Sequence, residues 1–153
     1  MVFAMPLLWE ELPRDTRDER TERVVENDAI AIADREGKVH FFRRGLIDLP
    51  IENEAGQFQW NVWVEVSQEV FLAALKRWDD SKRVNRPPDD GTIACRIPGY
   101  PDTIALHVAV KEQEPRTRPK ITVLDDHPLR QEQAAGITRH RHAELIALAT
   151  VST

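Results

Sequence analysis

The side chains with the most obvious capacity for chemistry are Asp125, Asp126, His127 and Glu132. A histidine at a helix N-terminus has its cationic form disfavoured by the dipole, which would favour a neutral base or ligand. With carboxylates beside it, His127 would suit a hydrolase-like enzyme in which Asp126 and Glu132 support the imidazole. The spacing loosens that unit. Glu132 follows His127 by five residues, about 140° around a helix, whereas Gln131 at i+4 would share its face. The plainer alternative is that Asp126 caps the helix and His127 bonds to nearby backbone.

The remaining reactive types are scattered. His140 and His142 stand two apart, on different sides of a helix, and cannot make the i, i+4 metal pair of an HExxH site. His40 and His107 are lone strand histidines. Cys95 follows no nucleophile motif and is the sole cysteine, which excludes an intramolecular disulfide and a multi-cysteine zinc site. It reads as a buried thiol in a reducing compartment. No GxxxxGK(S/T), GxGxxG or GxSxG motif occurs. Neither a metal nor a cofactor is indicated. Residues suited to recognition are easier to find: Trp63 on the polar face of a strand, Arg96, and Tyr100 in a proline-framed turn. With His127 they make a candidate binding surface, and Arg43-Arg44 at a strand end could hold an anion.

These residues need elements to position them, and the clearest is the run FQWNVWVEVSQEVFLAALKRW, residues 58–78. Phe58, Trp60, Val62, Val64 and Val66 recur at period two, so one strand face is continuously apolar, with Trp63 standing on the other. Ser67 is a good N-cap and Glu69 sits in the first helical turn. Val70, Phe71, Ala74, Leu75 and Trp78 then recur at helical spacing, a stripe expected to pack on a sheet. Before this stretch, residues 1–13 form an apolar lead-in and the charged run 14–27 allows a short helix on a solvated face. Residues 29–43 read as a hairpin, and Gly45 marks a bulge or tight bend before LIDLPI at 46–51. After it, residues 79–91 form a long surface loop. Strands are expected at 92–97, 103–111 and around Ile121–Val123. A short helix opening near Pro128 and ending at Gly136 follows, then a final helix.

Strands joined by turns, without βαβ alternation, predict one α+β domain over residues 1–153. Its sheet should be mostly antiparallel, with a long central helix and two C-terminal helices packed on it. The chain is 41% hydrophobic and 31% charged, and its 21 basic against 26 acidic residues leave −5. That balance argues against a nucleic-acid partner driven by bulk charge. No apolar run reaches the ~20 residues that span a membrane. The start lacks a basic n-region and a small-residue cleavage site, so it is expected to belong to the fold, in a cytoplasmic protein.

The blocks FFRRGLIDLPI (41–51), WNVWVEVSQEVF (60–71), IPGYPDT (97–103), RP (118–119) and DHPLRQEQAAGI (126–137) come in an order that resembles a family of bacterial proteins known as a domain of unknown function. Its members read FF-RG-L-IPV, WGVWVSLSEENF, LPGYPDT-L-LK, RP-I-L and DHPLA-EQ-GI, and the likeness spans about residues 7–147. Longer members begin with a CxxCG-type segment that looks zinc-binding. This chain has no cysteine before Cys95, so the resemblance implies no zinc role here. It implies a bacterial, intracellular protein and supplies no activity. The expectation is therefore a cytoplasmic binding or accessory module for a protein or small ligand, with a homodimer allowed. An enzyme built on His127 is the first alternative. An immunity or inhibitor protein using its acidic surface is the second.

Overall fold

The computed structural model describes residues 5–25 and 28–152, without the side chains of 151 and 152. The first four residues of the expected lead-in, and residues 26–27 of the charged run, lie outside the described residues. Seven strands follow in chain order: β1 Thr21–Val25, β2 Ala29–Ala33, β3 Val39–Pro50, β4 Gln57–Val66, β5 Asp89–Ile93, β6 His107–Lys111 and β7 Lys120–Val123. Each pairs antiparallel with the next. Four reversals bring β7 back parallel to β3, which it meets at Leu46 and Lys120. Strands β3 to β7 thus close a five-stranded barrel, and β1 and β2 extend from the first half of β3.

The expected α+β arrangement, with a long central helix and two C-terminal helices packed on an antiparallel sheet, is overturned by this closure. Alternation in β4 does bury one face, as read from the sequence. That face is buried against the other side of the same barrel, so no long helix has to cover it. Ile47, Leu49, Phe58, Trp60, Val62, Val64, Val108, Val110, Ile121 and Val123 share this interior. The helix α3 is only Gln68–Lys76. Ser67 caps it, its Oγ accepting from the Val70 amide at 3.1 Å, and Phe71 is its one fully buried side chain, 5.1 Å from the ring of Phe41. The expected loop 79–91 contains a 3₁₀ turn, Ser81–Asn85, and the start of β5. The charged run holds a four-residue helix and then the unforeseen β1.

The closing seam explains several residues. A Cβ on Gly45 would lie 2.4 Å from Ile121 Cγ1, so glycine here admits β7 against β3 rather than making a bend. Beyond Leu46 the two strands part. There Gln133, on the helix Pro128–Ala135, acts as the missing strand: its Oε1 accepts from the Val123 amide at 2.9 Å and its Nε2 donates to the Ile121 carbonyl at 2.7 Å. Ile137 then pairs with Ile51, donating to the Pro50 carbonyl at 2.7 Å. A second apolar cluster lies outside the barrel, where Met5 and Leu12 cover Ile30, Ile32, Phe42 and Trp63. Among the described residues no helix is long and apolar enough to cross a membrane.

Candidate functional site

Of the helices, α1 is Leu7–Glu11, α2 Arg17–Arg20, α4 Pro128–Ala135 and α5 Arg139–Ser152. His127 is itself the N-cap of α4. Its Nδ1 accepts from the Leu129 amide at 3.1 Å, which places the ring proton on Nε2, and Nε2 donates to the Pro101 carbonyl at 2.5 Å. Asp126 is exposed and does not cap; that expectation is corrected because the imidazole, in extended backbone geometry, occupies the capping site. Asp125 turns to His107 instead, accepting from its amide at 2.8 Å and facing Nδ1 at 3.2 Å. Those contacts hold its carboxyl below the ordinary carboxylate value. Glu132 pairs with Arg141, 3.0 Å from Nη2. The three supposed partners of His127 point to separate places, and both of its ring nitrogens are engaged.

The four expected binding residues do not form one surface: Tyr100 and His127 come together, while Trp63 and Arg96 lie elsewhere. Trp63 faces out of the barrel but is fully buried under the N-terminal segment, with the Arg44 guanidinium 4.5 Å from its ring centroid. Tyr100 is half-buried beneath Arg141, 5.1 Å from its centroid. Burial, and then the charge of Glu132, push its hydroxyl above the ordinary tyrosine value. Arg141 also donates to the Gly99 carbonyl at 2.9 Å. Tyr100 and His127 therefore meet at one joint, where the 97–103 turn is clamped to α4 and α5. Thr103 braces that turn from within, donating to the Cys95 carbonyl and accepting from the Ile97 amide, both at 3.0 Å. Arg96 is exposed at a separate hollow of about 350 Å³ beside Met5, Leu7 and Glu10. Cys95 is buried and its thiol is pushed up to about 12, chiefly by desolvation, which disfavours the reactive thiolate.

The arrangement with most chemical capacity lies elsewhere. Outside the barrel, beside the seam, a cleft of about 560 Å³ has Arg44 and Leu46 of β3 and Gln59 and Asn61 of β4 as its floor. Val25 and Asp28 form one wall, Arg116 to Pro119 another, and Trp78 lies at the rim. The even positions of β3 and the odd positions of β4 point outward, which brings Arg44 and Asn61 to the same surface. Arg118 donates from Nε to Asp28 at 2.7 Å and from Nη1 to the Asn61 side-chain oxygen at 2.5 Å. Arg116 has a φ of 69° and makes no hydrogen bond or ion pair with the described residues.

The loop carrying these arginines is held from inside. Buried Arg83 donates from Nε to the Gln113 carbonyl at 2.8 Å, and from Nη2 to those of Glu114 at 2.7 Å and Thr117 at 3.1 Å. Its Nη1 donates to the Trp78 carbonyl at 3.0 Å. Arg83 and Arg43 flank buried Glu112. A loop so pinned presents its outer side chains in a set geometry. Burial lowers the pKa of Arg44, and the nearby charge of Arg118 lowers it further. The nearby charge of Asp28, which pairs with Arg118, works against both effects.

No reading of local motifs could find this cleft, because its residues are separated by tens of positions. The available signal was indirect. Arg44 and the Arg118-Pro119 pair fall in the blocks FFRRG and RP, through which the chain resembled a bacterial family. The chain belongs to that family: the model for an uncharacterised protein conserved in bacteria (DUF2199) matches residues 1–137. No curated protein and no solved structure matches it.

Proposed function

We propose that this member of a bacterial family is a cytoplasmic binding module that takes a small anion-bearing molecule into the cleft above β3 and β4. One observation carries the reading: Arg44, Arg116 and Arg118 converge on a cleft whose described lining contains a single carboxylate, Asp28, in a chain of net charge −5. Like charges gathered against the overall balance carry an electrostatic cost that an anion would remove. Burial of Arg44, nearly out of reach of solvent, strengthens its attraction for such a group. Arg118, oriented by Asp28 and Asn61, would meet an oxyanion with little loss of side-chain freedom. A buried free thiol is consistent with a reducing cytoplasm.

The test is isothermal titration with inorganic phosphate and pyrophosphate at low ionic strength. Pyrophosphate should bind, and binding should weaken as salt is raised, because the rim is solvent-exposed. Arg116→Gln, which removes a side chain with no described partner, should weaken pyrophosphate by about tenfold, the scale of one charge-assisted hydrogen bond. Absence of any anion binding, or an unchanged affinity in both Arg116→Gln and Arg118→Gln, would overturn the reading.

A further inference from the structure

We infer that the ligand of the cleft is a mononucleotide, with its phosphate among Arg44, Arg116 and Arg118 and its base against Trp78. The inference rests on the anion-binding reading above and adds to it the identity of the other half of the ligand.

An inorganic anion would leave most of the cleft without a purpose. At about 560 Å³ the space falls within the range of small-molecule sites and is far larger than a phosphate. Trp78 is the feature that selects among larger anions. In the helical stripe it is the last member, but α3 stops at Lys76, and Trp78 is carried past the core to the rim of the cleft, where it remains partly exposed. The two tryptophans of β4, Trp60 and Trp63, are by contrast fully buried. Trp78 is also held in place. Arg83, itself buried, donates from Nη1 to its carbonyl at 3.0 Å and places its guanidinium over the ring, 5.8 Å from the centroid. A fixed aromatic face beside guanidiniums suits a ligand that is planar at one end and anionic at the other.

The floor matches a heteroaromatic ring better than a plain hydrocarbon. The Asn61 side-chain oxygen already accepts from Arg118, which leaves its amide hydrogens directed to other acceptors. Leu46 and Pro119 supply apolar contact between the polar groups. A dicarboxylate would use the arginines and ignore the ring; a mononucleotide uses both.

The experiment compares calorimetric affinities of the full chain for AMP, GMP, CMP and UMP with those for ribose 5-phosphate and inorganic phosphate, at one ionic strength. At least one nucleotide should bind about tenfold or more tightly than ribose 5-phosphate, the gain expected from stacking one base. Trp78→Ala should erase that gap while leaving ribose 5-phosphate unchanged, and Trp78→Phe should restore part of it. Thermal unfolding of both variants checks that the fold survives, and the Phe variant carries the test if the Ala variant is unfolded. If ribose 5-phosphate binds and no nucleotide binds more tightly, the mononucleotide inference fails while the anion reading stands. A gap that persists in Trp78→Ala overturns the assignment of the base to Trp78. If neither phosphate nor any phosphate ester binds, both readings fall together.

Discussion

At the scale of single residues, histidine chemistry is turned to holding the fold. His127 was legible as a residue that bonds to nearby backbone, as it does at the Leu129 amide, but its second bond was not, because Pro101, whose carbonyl accepts from Nε2, lies 26 positions away. His40 shows the same use between two carboxylates: its ring nitrogens each stand 2.9 Å from one, Asp34 on one side and Glu65 on the other. Burial pulls its pKa down, yet the hydrogen bonds to Asp34 and Glu65 outweigh that and leave it above the ordinary 6.5. Asp34 is correspondingly lowered from 3.8, first by its bond to His40. A histidine raised in the folded state stabilises fully below its unfolded pKa, and that contribution disappears as pH rises through the folded value. Stability should therefore fall on going from about pH 6 to pH 8–9, and the fall should be smaller in His40→Gln. Urea titrations at the two pH values, with the imidazole followed by NMR, decide it; identical pH profiles would reject the role.

At the scale of elements, the seam between β3 and β7 is the place where sequence pattern was least informative. β7 was expected around Ile121–Val123, but the single strand β3 was divided between a hairpin ending at 43 and LIDLPI at 46–51, and between them Gly45 was read as a bulge or bend. Its need for a missing Cβ arises only because Ile121 arrives from across the molecule. Gln133 is a stronger case. On α4 it reads as one more polar helical residue, yet its amide completes the edge of β7 in place of a strand. Gln133→Ala should leave the Ile121 carbonyl and the Val123 amide unpaired at buried positions, at a cost of about 1–3 kcal/mol. Hydrogen exchange at the Val123 amide should accelerate in step. A loss below about 0.5 kcal/mol, the range of ordinary surface substitutions, would mean that the seam does not depend on this bridge.

At the scale of the whole molecule, a buried ionic centre joins the parts that shape the cleft. Arg43 enters from β3, Glu112 from the end of β6 and Arg83 from the 3₁₀ turn, each nearly inaccessible to solvent. Glu112→Gln would strand two guanidiniums without their counter-charge, and removal of one partner from a buried pair costs roughly 3–5 kcal/mol. Denaturant unfolding should show that loss, and phosphate binding should weaken with it, since Arg83 anchors residues 113–117. Wild-type stability in Glu112→Gln would show the centre to be dispensable. From sequence alone came the burial pattern of β4, β6 and β7, the Ser67 cap, the turn at 98–102 and the stop at Gly136. These are set by neighbours within a few positions, where side-chain alternation and backbone preference act directly. Tertiary structure alone decided that the sheet closes on itself, that Trp63 is covered, and that Arg44, Asn61, Trp78 and Arg118 surround one space. Alternation records which face of a strand is hidden from water, and carries no record of what lies against it.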